Sequence, residues 1–284
     1  MRKQILSTVF SILLSFILAI SLLIGSLCFY ANETVCKSES LTDIAVSKGY
    51  TQELYDQIVY AWENYMAITG VSEPDPIMTV LTPEKVQADV LEYINASEEI
   101  DTTTLRKQLE QKVREYVSNT IGEDDLNAEL EANINELVSA CMQTYSQSIT
   151  IPMLPKILSA ASNIQRFLFP AGLFAFGFGL IISAFIFFLQ RKRKNTLYYA
   201  SIATATNAIL FLAITCMAEY FSLIARLPIE ESALRTLLTS YLQFLLDKLQ
   251  IVGFAFLAAT AMLLLVYLLF VYLEKQESKE LLYE

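Results

Sequence analysis

The chain has 284 residues, 54% of them hydrophobic, which is more apolar than most soluble domains. It contains no histidine, so histidine metal ligation and histidine acid–base chemistry are excluded. The formal net charge of −10 argues against nucleic acid as a partner.

Four apolar runs, at about 5–30, 169–190, 197–222 and 251–273, reach the roughly 20 residues that a membrane-crossing helix needs. The predicted fold is therefore all-α, a four-span helical membrane protein with an extracytoplasmic helical bundle. Arg2 and Lys3 precede the first run. That run exceeds the apolar core of about 7–15 residues found in secretory signals, and it reads as an uncleaved anchor over residues 1–31.

Residues 32–168 carry 22 acidic and 9 basic side chains, a net of −13, and form the predicted acidic outer domain. A helix is expected over residues 50–68, with Leu54, Ile58, Tyr60, Ala61 and Tyr65 on its apolar face and Trp62 in the core. Gly70 should end it, and Ser72, Glu73, Pro74, Asp75 and Pro76 should follow as a stiff loop. Thr82 can cap a second helix that has Pro83 at its first position and Val86, Val90, Leu91 and Ile94 facing inward. Asp101 or Thr102 can cap a third, with Leu105, Leu109, Val113 and Val117 as its stripe. Glu123, Asp124 and Asp125 suit the start of a fourth, which carries Leu126, Leu130, Ile134, Leu137 and Cys141. The third and fourth are predicted antiparallel neighbours. Pro152 and Pro155 interrupt the pattern before an amphipathic helix over 156–169, where Pro170 would kink or restart the chain.

Residues 169–222 form a transmembrane hairpin whose turn is Arg191, Lys192, Arg193 and Lys194. Basic residues concentrate on the cytoplasmic side, so this cluster orients the chain and can meet anionic headgroups. Both termini are then cytoplasmic, in a plasma membrane, and the acidic exterior fits a bacterial surface. Small residues recur at Ser201 and Ala205 in the third span and at Ala255 and Ala259 in the fourth, where helices could approach closely. Residues 223–250 are read as an outer amphipathic helix, and 251–284 as the fourth span with a short cytoplasmic tail.

Candidate functional residues are few. Asn207 sits midway along the third span beside Thr204 and Thr206, where an amide needs a partner. Cys36 and Cys141 both fall in the outer segment, where a disulfide between them would persist. No calcium loop, phosphate-binding loop or other catalytic motif is recognisable, and no cofactor or metal is expected. The primary functional reading is a non-enzymatic membrane scaffold, sensor or partner-binding protein. The alternative is a subunit of an oligomeric channel or transporter, with Thr204, Thr206 and Asn207 on its path. Expected partners are membrane lipid, an envelope or membrane protein, and a second copy of the chain.

Overall fold

A computed structural model describes residues 2–96, 100–121, 128–190 and 193–280. Every regular element among them is helical. In order they are α1 (Arg2–Tyr30), a π-helical turn (Ala31–Val35), α2 (Ser38–Ser47), α3 (Tyr50–Ile68), α4 (Asp75–Met78), α5 (Pro83–Ala96), α6 (Thr103–Ile121), α7 (Ala128–Ile149), α8 (Leu154–Gln190), α9 (Arg193–Tyr220) and α10 (Ser232–Glu280). Four helical stretches are long and apolar enough to cross a membrane: Ser7–Val35, Ala128–Gln190, Lys194–Tyr220 and Ser232–Gln276. The chain divides into two compact units. One comprises 1–37, 161–227 and 242–284, and the other 38–160 with 228–241.

The unit built on 38–160 is a helical bundle around α3, which packs against α2, α5 and α7. Its buried stripe is Tyr50, Leu54, Ile58, Trp62 and Met66, spaced by four. Leu54, Ile58 and Trp62 are buried as expected from the sequence, whereas Tyr60 is 69% exposed, and Ala61 and Tyr65 are only half-buried. A spacing of four drifts slowly around a helix, and it brings the large Trp62 ring under α7 where Tyr60 would point to water. Trp62 Nε1 donates to Cys141 O at 2.9 Å, so the indole N–H is satisfied inside the core. Gly70 ends α3 in the left-handed region at φ 86°, and the N–H of Val71 returns to Met66 O at 2.9 Å. This is the closing turn that glycine favours.

Caps set the remaining boundaries. Thr82 Oγ1 accepts from Lys85 N at 3.2 Å at the start of α5, and Asp101 Oδ1 accepts from Thr103 N at 2.9 Å at the start of α6. Thr103, through its side chain first and then this N–H, holds the exposed Asp101 carboxyl below its usual range. The α6 stripe of Leu105, Leu109 and Val113 is buried, and Val117 is half-buried. Arg106 reaches Ser139 at 3.2 Å and Arg114 reaches Glu131 at 3.1 Å. As the first partner advances along α6 the second retreats along α7, so these helices are antiparallel. The expected acidic start at Glu123, Asp124 and Asp125, with Leu126, lies outside the described residues. The helix itself continues beyond Cys141 to Ile149. Residues 232–241 of α10 complete this unit. Ala233 and Leu237 are buried, and Thr236 Oγ1 donates to Glu53 Oε2 at 2.7 Å.

In the other unit α1 packs along α9, and α8 closes on α1. Their shared apolar core contains Leu18, Ala19, Ile182, Ile186, Tyr199 and Ala203. Glycine permits the closest approaches. A Cβ at Gly25 would lie 2.9 Å from the Phe176 ring, and one at Gly253 would lie 2.9 Å from Leu212. Pro170 does not divide α8, which is continuous over 37 residues. Nor does any break separate an outer helix from a fourth span, because α10 is a single helix of 49 residues.

Candidate functional site

Polar residues along the helices that are long and apolar enough to cross a membrane form an interhelical lattice. Asn207 projects from α9 and is 2% exposed. Its Nδ2 donates to Ala19 O of α1 at 3.1 Å and to Ala203 O of its own helix at 3.3 Å. The amide thereby spends both N–H groups inside protein, which removes the cost of leaving them bare in hydrocarbon. Thr204 faces α10, and its Oγ1 lies 2.9 Å from Thr260 Oγ1. Each hydroxyl has one proton. Thr204 can return its own to Ser201 O at 3.1 Å, and Thr260 then donates across the helix pair. Thr206 is exposed and bonds back to Ile202 O at 2.9 Å within α9. The three sequence candidates therefore separate: Asn207 bonds to α1, Thr204 bonds to α10, and Thr206 bonds back within α9 beside a recess shared with Ile12, Ser15, Phe16 and Ala19 of α1.

Further members of the lattice were not read from the sequence. Ser15 Oγ donates to Tyr199 O at 2.9 Å, Ser21 Oγ donates to Ala175 O, and Gln190 Nε2 donates to Ser11 Oγ. Ser7, Ser11 and Ser15 recur every four residues on α1. That recurrence was the available signal, since hydroxyls on one face of a span commonly bond a neighbouring helix. An apolar recess of about 290 Å3 lies beside Thr204, lined mostly by Leu18, Leu22, Phe176 and Leu180.

Of the basic turn, Arg191 and Lys192 lie outside the described residues. Arg193 opens α9, and Lys194 makes an ion pair with Glu274 of α10. The expected Cys36–Cys141 disulfide is not formed, and both are free thiols. Cys141 is fully buried in the bundle core, where burial pushes its thiol up to about 12, whereas Cys36 belongs to the other unit. A small side chain packed under Trp62 behaves as a core residue, and its location in an outer segment does not make it a crosslink.

The bundle holds its own polar centre. Asp89 is 2% exposed, yet its carboxylate accepts from Lys85 Nζ at 2.6 Å and from the Tyr145 hydroxyl at 2.5 Å. Burial, followed by the bond to Asp89, raises the Tyr145 phenol well above its ordinary range. The phenol is held as a donor, which suits a structural carboxylate clamp. At the end of α6, Tyr116 binds the loop at Ser72 Oγ (3.3 Å) and Glu73 N (3.4 Å) beside a cleft of about 300 Å3. Among the described residues, no group of three or more carboxylates or thiols is placed to hold a metal ion. Comparison of the chain with models of known protein families, with curated proteins and with solved structures finds no match.

Proposed function

We propose that the chain is a four-span plasma-membrane scaffold with both termini cytoplasmic, which presents the 38–160 bundle on the extracytoplasmic face to an envelope or membrane protein. The observation that carries this reading is the commitment of Asn207. This buried polar side chain closes α9 onto α1 at 3.1 Å and so acts as an anchor bond. Ser15, Ser21 and Thr260 act in the same sense. Orientation follows from Arg2, Lys3 and the basic turn at one end of the spans. The outer segment's net charge of −13 favours a partner with a basic face.

Crosslinking in native membranes, followed by purification in mild detergent, tests the proposal. One protein should be recovered in constant ratio, and its recovery should fall as salt rises. Recovery of the chain alone, with ion flux through reconstituted vesicles, would replace the scaffold with the channel reading. That second reading draws on one observation: in the fourth span, 251–273, only Gly253 and Thr260 are buried, which leaves a long face for another copy.

A further inference from the structure

We infer that α8 pairs with the α8 of a second copy of this chain, along a seam that runs from the water phase into the membrane. The seam is read first outside the hydrocarbon. At about 1.5 Å per residue, Phe167 lies roughly 35 Å and Ile157 roughly 50 Å along α8 from Gln190, the residue before the basic turn. A hydrocarbon core about 30 Å thick ends before either is reached. Over 156–167 the polar residues are Lys156, Ser159, Ser162, Asn163, Gln165 and Arg166. Ile157, Ala160, Ile164 and Phe167 fall between them at intervals of three, four and three residues. That alternation is the spacing at which one helix seats against another in a left-handed pair. All four are exposed, Ile157 at 61% and Phe167 at 73%. Lipid tails do not extend to that level, so another helix is what can cover them.

The same alternation continues through Ala171, Phe174, Phe178, Ile181, Phe185 and Phe188, all of them exposed. Within the hydrocarbon nearly every residue of α8 is apolar, so spacing alone selects no face there. The other sides of the helix do. Gly172 and Gly179 press on α1, and Leu180 and Ser183 border the recess shared with α9. The seam occupies the remaining side. Gly177 stands beside it and is unlike the other glycines of the spans. At Gly25, Gly172, Gly179 and Gly253 an added Cβ would come within 2.9 to 3.4 Å of a neighbouring helix, whereas at Gly177 it would meet nothing within 4 Å. Glycine weakens a helix interior relative to alanine, and no contact among the described residues accounts for it here. Close approach of a second backbone does. The partner must be a helix that is also unbroken across the outer membrane boundary, and α8, at 37 residues, is one. Copies inserted with one orientation bring α8 to α8 in parallel, so each seam residue meets its own counterpart and a two-fold pair closes. Charge permits this register. No seam residue is charged, and the flanking Lys156 and Asn163 would face the second copy's Ala161 and Leu168. The net charge of −13 on each outer segment opposes the pairing, and salt screens that repulsion.

The inference rests on the topology proposed above, and on neither the scaffold role nor the face at 251–273. Sidedness is measured separately by thiol labelling, so failure of the seam in a correctly oriented protein sinks this inference alone. Single cysteines are placed in turn along 157–167 of the full chain freed of its native thiols, which is reconstituted at high dilution in phosphatidylcholine vesicles and oxidised. A disulfide needs close Cα atoms, so linked homodimer should form with Ile157→Cys, Ala160→Cys, Ile164→Cys and Phe167→Cys. It should be absent with Ser159→Cys, Ser162→Cys and Arg166→Cys, which point away from the seam. Added salt should raise the yield, the reverse of its effect on a partner held by the acidic surface. Gly177→Leu places its side chain in space that is open within its own chain, and should abolish the Ile164→Cys crosslink while Trp62 emission stays native. Crosslinking without this period, a monomer at every lipid dilution, a dimer that survives Gly177→Leu, or seam thiols joined to a different protein in native membranes would overturn the inference.

Discussion

Replacing Tyr145 with phenylalanine removes one hydroxyl from the bundle core and leaves the ring in place. The partner of that hydroxyl is the Asp89 carboxylate, which is 2% exposed and, among the described residues, has Lys85 as its second donor. Hydrogen bonds to charged groups contribute about 1.5–3 kcal/mol, and a buried oxygen left without a donor retains its desolvation cost. We therefore expect Tyr145→Phe to destabilise the bundle by about 2 kcal/mol. Lys85 is 40% exposed and water competes for its ammonium, so Lys85→Met should cost under about 1 kcal/mol. Removing both charge and partner in Asp89→Leu/Tyr145→Phe should cost less than the two single changes together, because no buried carboxylate then remains. The assay is urea unfolding of the full chain in detergent, followed by tryptophan emission. Trp62 is the sole tryptophan and its ring centroid lies 6.3 Å from that of Tyr145, so the signal reports this core. With a slope of about 1–3 kcal/mol per molar urea, the midpoint should move by roughly 1 M. A Tyr145→Phe protein within about 0.5 kcal/mol of the parent would refute the clamp, since that is the range of an inconsequential surface change.

Alkaline pH gives a second test. Burial raises the Cys141 thiol to about 12, so the folded bundle keeps a proton that the unfolded chain loses above about pH 8.5. Stability is full below that pH and falls as pH climbs towards 12, by up to about 1.4 kcal/mol per pH unit. Cys141→Ala should flatten the urea midpoint between pH 9 and 10, ahead of the further fall as the raised Tyr50 and Tyr145 phenols begin to be exploited by the unfolded state. Within the spans, Asn207→Leu should lower resistance to SDS unfolding by about 1 kcal/mol, the usual scale for interhelical hydrogen bonds in membranes. The same change should leave ion flux through vesicles at the level of the parent protein, whereas flux lost with Asn207 would move that residue from anchor to pathway.

The spans were legible because length and apolarity are local properties, and α5 and α6 were legible from Thr82, Pro83 and Asp101 at their starts. What escaped depends on residues distant in sequence. Asp89 looks like one more solvated carboxylate until Tyr145, 56 positions away, is brought to it. Thr260 acquires meaning only opposite Thr204, likewise 56 positions away. On α3 the burial of Leu54, Ile58 and Trp62 was legible, but the sorting of the tyrosines was not, because several aromatic side chains compete for the inner face: Tyr50 is buried and Tyr60 is exposed. The continuity of α10 was hidden by a change in pattern, from amphipathic over 232–249 to uniformly apolar beyond it. Such a change alters what surrounds a helix without ending it, and no proline intervenes between Ser232 and Glu280 to stop it. At the candidate site, the need of Asn207 for a partner was readable from its depth, while the choice of Ala19 O was not.

The central claim is that four spans display an acidic helical bundle outside the cell while both chain ends remain within. It is tested most directly by single thiols in a background with Cys28, Cys36, Cys141 and Cys216 replaced. Lys107→Cys on α6 and Lys275→Cys at the end of α10 are both exposed positions. In intact cells, a membrane-impermeant maleimide should label the thiol at 107 and should reach the one at 275 only after permeabilisation. Labelling of 275 in intact cells, with 107 protected, would contradict the account.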